Sequence, residues 1–394
     1  MQLTPAERTA TQIIRAAFPP GEEPGSVPAL RADAWGAVAQ GAWRHNLAPM
    51  LFAALKHLGR TDDPPAAVTE MLRLAYLRTS AANWLAFQEL GDLLAQCARE
   101  NISMILLKGA ALANTVYPNI ALRPMGDLDL LIRFADAPRL GEMLAVRGFA
   151  PSLEPTRNFY AEFSYDQAFV RGGKRPLMIE THWHLFSQPY YRNRIPIAWF
   201  WERTQPMTVN GHAAQMFAPT AQIVHLAAHA VLHHQGQGLL GAHDFALVLA
   251  RQRAQINWDD ALTAARAFGL NRVLLAALDQ AREVWGVSAP DDVSAHLARA
   301  VGLRERILFA VNTSRHVEAR EVWDALNLPR GKSKLGYLKP ILFPSRAYML
   351  ERYGIADARA LPMHYARRLG RGAQLFARSC AAMAGSVTRG LRVN

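Results

Sequence analysis

Leu106-Leu107-Lys108-Gly109 and, further along, Gly126-Asp127-Leu128-Asp129-Leu130-Leu131-Ile132 are the stretches from which the chain reads outward. The first closes an apolar run, Ile102 to Leu107, with the length of a buried strand, and ends in a Gly-containing turn. A helical pattern starts at Ala110, so the order is strand, tight turn, helix. Such a turn leaves backbone N–H groups at a helix N-terminus, where phosphate oxygens are well received. The second stretch is a short apolar strand with carboxylates at i and i+2. Side chains alternate along a strand, so Asp127 and Asp129 face the same way with Cα atoms roughly 6.6 Å apart. Two carboxylates aimed at one point repel each other unless a cation lies between them, and the pair therefore reads as a divalent-metal site. Singly, an Asp-x-Asp is often a solvated turn and a Lys-Gly the end of an element. The specific signal is the order strand, Gly turn, helix, acidic strand, with Gly126 bringing the last strand in sharply.

On these residues, the stretch 102–132 resembles the active-site core of the nucleotidyltransferases related to DNA polymerase β. It is most similar to a sparsely characterised bacterial family in which Leu-Lys-Gly replaces Gly-Gly or Gly-Ser. In that family Arg-x-x-x-Asp-x-Asp follows, here Arg123-Pro124-Met125-Gly126-Asp127-Leu128-Asp129. The sequence departs at Ala110, where many relatives offer a phosphate a hydroxyl; Lys108 and Arg123 are left to supply the charge. The resemblance implies a third carboxylate on a neighbouring strand. Glu180, in Ile179-Glu180-Thr181-His182-Trp183, matches the family's acidic-x-His-Trp element, with Glu162 and Asp166 as rivals on the preceding strand. His182 either hydrogen-bonds a ligand or the third carboxylate, or is a half-buried strand residue.

The implied fold is α+β: a small mixed β-sheet nucleotidyltransferase core flanked by N-terminal and C-terminal helical regions. The implied reaction moves an NMP from an NTP, ATP being the first expectation, to a hydroxyl or phosphate acceptor and releases pyrophosphate. Asp127, Asp129 and Glu180 would hold two Mg2+ ions about 4 Å apart, with Mn2+ able to substitute. Lys108, Gly109, Ala110, Arg123 and His182 would face the nucleotide.

Composition fits this class without selecting it. The 394 residues are 51% hydrophobic and 19% charged, enough for two or three packed domains. The formal charge of +12 favours a polyanionic partner: nucleotide, nucleic acid or anionic membrane. There is no run of the roughly 18 apolar residues a spanning helix needs. The N-terminus has no basic-then-apolar leader, and the two cysteines, Cys97 and Cys380, lie far apart, so a cytoplasmic home is expected, peripheral to a membrane at most.

The chain divides on pattern into a helical region (1–100), the α/β core (101–215), a C-terminal helical domain (216–330) and a basic helical segment (331–394). Thr4-Pro5-Ala6-Glu7 is an N-cap, a first-turn Pro and a capping-box Glu. Amphipathic stretches follow at 30–45, 47–58 and 65–98, with Trp35, Trp43, Trp84 and Phe87 assigned to packing. In the core, a helix is predicted over 135–147, a strand over 159–170, and after Arg171-Gly172-Gly173-Lys174 a second strand over 177–183 that completes a hairpin. On that strand Met178, Glu180 and His182 share a face. A further hairpin is predicted at Asn210-Gly211.

Two other classes fit parts of the sequence. His225, His229, His233, His234 and His243-Asp244 allow an HD-like metal phosphohydrolase, His-Asp being that class's signature. A non-catalytic nucleotide- or polymer-binding protein is the other, although such a chain has no reason to keep a repulsive Asp pair. At the end, Arg367, Arg368, Arg371, Arg378, Arg389 and Arg392 lie among Leu369, Leu375, Phe376 and Met383. That profile suits either a helix docked on the fold or one on an anionic membrane or polymer surface.

Overall fold

The computed structural model describes residues 3–18, 27–152, 164–173, 176–233, 238–313 and, with gaps, 324–377. Glu162, His234, Leu375, Phe376, Arg378, Met383, Arg389 and Arg392 lie outside the described residues.

Helix α1 (Pro5–Ala17) starts as its sequence dictates: Thr4 Oγ1 accepts from the Glu7 amide and Glu7 Oε2 accepts from the Thr4 amide. Helices α2 (Trp35–Arg44) and α3 (Ala48–His57) follow, then the long α4 (Ala66–Arg99). Trp35 and Phe87 are buried as predicted, but Trp43 and Trp84 are 48% and 56% exposed. A tryptophan at helical spacing shows only which side of the helix it is on, and these two lie on the solvent side.

The core is a seven-stranded mixed sheet in the order β3-β4-β5-β2-β1-β7-β6. Its strands are β1 (Met104–Leu106), β2 (Leu128–Ile132), β3 (Ala150–Pro151), β4 (Asp166–Arg171), β5 (Leu177–His182), β6 (Thr204–Val209) and β7 (His212–Phe217). The β4–β5 and β6–β7 pairs are the two expected hairpins; at the second, Asn210 and Gly211 both take positive φ (49° and 80°). Two primed-turn residues match the right-handed twist of the flanking strands. Between β1 and β2 lies the short helix α5 (Lys108–Leu112), and after β2 comes α6 (Ala137–Val146), ended near Gly148.

Alternation along β2 sorts its side chains into two cores. Leu128, Leu130 and Ile132 join Met104, Leu106 and Ile179 against α4 and α6, where Phe87, Leu90, Leu94, Leu140 and Leu144 pack. Leu131, with Ile105 and Phe217, faces a larger core shared by α1–α3 and the helices Pro219–Ala228, Leu239–Arg251 and Asn271–Gln280. Each large apolar side chain so buried contributes on the order of 1.5–3 kcal/mol. Asp129 has the parity of Leu131, so it projects between sheet and C-terminal helices, where β5 sends Glu180 and His182 too.

Near the C-terminus, Arg368 donates to the Ile341 carbonyl at 2.6 and 3.1 Å and to the Tyr353 hydroxyl at 2.6 Å. This described part of the arginine-rich segment is docked on the preceding helices. Among the described residues no helix is long and apolar enough to cross a membrane.

Candidate metal centre and nucleotide site

The site is built by strand register. β2 and β5 pair in parallel, with Asp129 opposite Glu180 and Leu131 opposite His182. Directly opposed residues share a face, so Asp129, Glu180 and His182 converge. His182 Nε2 lies 2.9 Å from Asp129 Oδ1 and 3.6 Å from Glu180 Oε2. One donor atom from each of the three lies within 4.8 Å of the others, and among the described residues no other such trio of metal-capable side chains forms. Carboxylate and imidazole donors this close fit a divalent cation, so the residues present suit the divalent metal that the sequence resemblance implies.

The metal set predicted from the sequence was Asp127, Asp129 and Glu180. Asp127 precedes β2, which begins at Leu128, and it sits half-exposed outside the compact trio, which His182 joins. Asp127 remains within electrostatic reach. Burial and then Asp129 raise its carboxyl above the ordinary value. Glu180 is pushed up to about 7 by burial, then by Asp129 and Asp127. Burial would raise Asp129 as well, but the Lys108 ammonium and the His182 hydrogen bond outweigh it and hold Asp129 well below the usual carboxylate range. Of the two rival acids, Asp166 lies opposite His182 on β4 and accepts from the Ser164 hydroxyl at 2.7 Å; Glu162 is outside the described residues.

The Lys-Gly turn differs from its sequence prediction in a useful way. The helix was expected to start at Ala110; it starts at Lys108, which itself takes a positive φ of 46°. A side chain in the left-handed region costs on the order of 1 kcal/mol and persists where the surroundings fix it. Here the fixing contact is the Lys108 Nζ–Asp129 Oδ1 pair at 2.6 Å, supported by the Leu107 amide donating to the Asp129 carbonyl at 3.0 Å. Burial works against the ammonium, yet Asp129 raises its pKa and keeps it charged. Gly109 is needed for space: a Cβ there would meet Met125 Cγ at 2.8 Å and Arg123 Nη1 at 2.9 Å. Ala110 is 1% exposed and belongs to the core behind the sheet, so its side chain offers a ligand nothing.

Arg123, assigned to phosphate from sequence, is bound within the protein. It donates to Asp244 at 2.7 Å through Nη2 and at 3.1 Å through Nε, and to the Pro124 carbonyl at 2.5 Å. Asp244 also accepts from the Tyr117 hydroxyl at 2.6 Å, and His243 Nδ1 lies 3.0 Å from that hydroxyl. Since Tyr117 gives its proton to Asp244, it accepts from His243, which is then the Nδ1–H tautomer. The His-Asp dipeptide is thus spent on a buried structural chain, and among the described residues no metal-capable group contains it. Among the described residues, this geometry gives the HD-like phosphohydrolase reading no metal centre at that dipeptide. His225 and His229 instead line a small cavity beside the trio, with Lys108, Tyr165, His182 and Gln188. Burial, then Lys108, pulls His225 down to about 3, so it is neutral.

Several residues position the site from other elements. Asn83, on α4, donates to the carbonyls of Ile120 and Arg123 at 2.6 and 2.8 Å and so fixes the loop that leads to the Asp pair. Tyr117 and the Arg123–Asp244 pairing are contacts across more than a hundred residues. His182 was legible in part, because a period of two puts it on the face of Glu180.

Residues 31–286 match the model of a family described as uncharacterised nucleotidyltransferase. No curated protein matches the chain. Among solved structures, the chain is similar to an antigenic nucleotidyltransferase-like protein from Paracoccidioides brasiliensis. The identity is 13% over 54% of this chain and 91% of that one, with a TM-score of 0.33.

Proposed function

Since the chain belongs to the uncharacterised nucleotidyltransferase family, we propose that it transfers a nucleoside monophosphate from an NTP, with ATP the first candidate, to a hydroxyl or phosphate acceptor. The observation that carries this is the in-register pairing of Asp129 with Glu180 on adjacent parallel strands, with His182 aimed at both. In the reaction the acceptor oxygen forms a bond to the α-phosphorus, the bond from that phosphorus to the β-bridging oxygen breaks, and pyrophosphate leaves with the electron pair.

Divalent ions bound by Asp129, Glu180 and His182, with Asp127 at the mouth, would offset the charge of the phosphate oxygens and acidify the acceptor; Mg2+ is the ion the family resemblance implies, Mn2+ a substitute. The chain's own part is positioning and charge. Glu180 is bonded to no lysine or arginine among the described residues and accepts the acceptor's proton. Asp129 fixes Lys108 beside the reacting phosphates, where the ammonium counters developing negative charge. Arg123 acts one step back, holding Gly109 and the loop in place through Asp244. The basic C-terminal segment is proposed to bring an anionic surface or polymer to the protein.

Incubating the protein with each α-labelled NTP, a divalent ion and cell extract tests the activity and identifies the acceptor. Label should move into a product in wild type and not in Asp129→Asn. Transfer that survives that substitution would remove the assignment.

A further inference from the structure

We propose that the Asp129–Glu180–His182 centre is a mixed nitrogen–oxygen site that selects Mn2+ over Mg2+ through the imidazole of His182. The proposal rests on the transfer reading for the presence of a divalent ion, and on the placement of His182 for the identity of that ion.

β5 places Glu180 and His182 on one face, and register brings that face to Asp129. The imidazole does not approach from solvent: it is 3% exposed and its ring packs 5.8 Å from that of Tyr165. Nε2 is the atom turned to both carboxylates, at 2.9 and 3.6 Å. In the metal-free protein Nε2 donates its proton to the ionised Asp129; a cation shared by the two carboxylates takes that proton's place, shifts the ring to the Nδ1–H tautomer and meets a nitrogen donor. Mg2+ is a hard ion that takes oxygen ligands and gives up water reluctantly, so an imidazole is a poor third ligand for it. Mn2+ shares with Mg2+ the preference for carboxylate oxygens and the six-coordinate habit that triphosphate oxygens suit, but as a first-row transition ion it gains more from an imidazole than Mg2+ does. Zn2+ takes the same donors but favours four ligands, leaving less room for substrate oxygens.

The test uses full-length protein and compares wild type with His182→Asp and His182→Gln, after thermal unfolding in chelator shows that each variant folds. Mn2+ affinity is read from the EPR signal of the free ion and Mg2+ affinity by competition. Wild type should prefer Mn2+ by about 100-fold or more, and His182→Asp, with an all-carboxylate set, by about 10-fold or less. Pulsed EPR of the Mn2+ complex should show coupling to a directly bound nitrogen in wild type and none in either variant. An unchanged preference, or bound Mn2+ without nitrogen coupling, overturns the proposal and leaves the transfer reading standing if labelled NTP is still consumed. Failure to bind either ion, together with absence of transfer, overturns both.

Discussion

The Lys108 ammonium lies 2.6 Å from Oδ1 of Asp129, the same oxygen that His182 Nε2 approaches to 2.9 Å. Three carboxylates, Asp127, Asp129 and Glu180, therefore meet one lysine, and Lys108 is their resident counter-ion. Lys108→Met removes it while keeping the length of the stem. In chelator the variant should lose about 3–5 kcal/mol, the usual cost of leaving a buried charge without its partner. Saturating divalent ion should recover much of the loss. Denaturant unfolding with and without metal measures both, and a variant as stable as wild type in chelator would refute the counter-ion role.

The acids divide by position. Asp129→Asn and Glu180→Gln should each reduce transfer on the order of 100- to 1000-fold, since an amide cannot offset the charge of a dication. Asp166→Asn, whose carboxylate already accepts from Ser164, should retain most of it. Asp127→Asn should lower transfer and also stabilise the metal-free protein, because burial and Asp129 disfavour the Asp127 charge. Label-transfer rates beside melting curves in chelator check all four. An inactive Asp166→Asn with an active Glu180→Gln would place the third acid on β4.

Arg123 and Asp244 form a buried pair with side chains 12% and 3% exposed. Asp244→Asn and Arg123→Met should each cost about 3–5 kcal/mol of stability. Residual activity of the folded fraction should show a lowered kcat with KM for the NTP little altered, because Arg123 touches Gly109 and its loop. A raised KM with unchanged stability would return Arg123 to direct phosphate binding.

His243 gives the protein a pH-dependent weakness. Burial pulls its pKa down from 6.5 to about 4, so the fold holds it neutral. Its contribution is complete above pH 6.5, the unfolded value, and is lost as pH falls through that value towards 4. At pH 5 the loss is about 2 kcal/mol. His225, lowered to about 3, acts in the same direction. His243→Gln should flatten the fall in unfolding free energy between pH 7 and pH 5 by roughly that amount. An unchanged slope would mean that the titration lies elsewhere.

Local pattern carried most of the fold. Capping at Thr4, the turn at Asn210-Gly211 and the alternation along β5 each depend on neighbours in sequence, and each formed as read. Asp129 was legible as half of a carboxylate pair in an apolar strand, whereas Glu180 was singled out only through the resemblance to the acidic-x-His-Trp element, with Glu162 and Asp166 as rivals. What escaped was set by long-range pairing. Nothing near Arg123 shows that Asp244 is waiting for it, and a guanidinium beside a Gly turn reads as a phosphate ligand. That His182 joins Asp129 and Glu180 in the compact trio has the same origin: it depends on where β2 begins and on which residues β5 sets against it.

The Arg123–Asp244 pair also decides how small this protein can be made. A fragment cut after the sheet, before residue 239, would keep Asp129, Glu180 and His182 yet leave the Arg123 guanidinium against Gly109 with no acid to receive it. The helices that follow the sheet thus supply one wall of the turn that carries Lys108. Grafting the strands alone onto another scaffold would transplant the ligands without the brace that aims them.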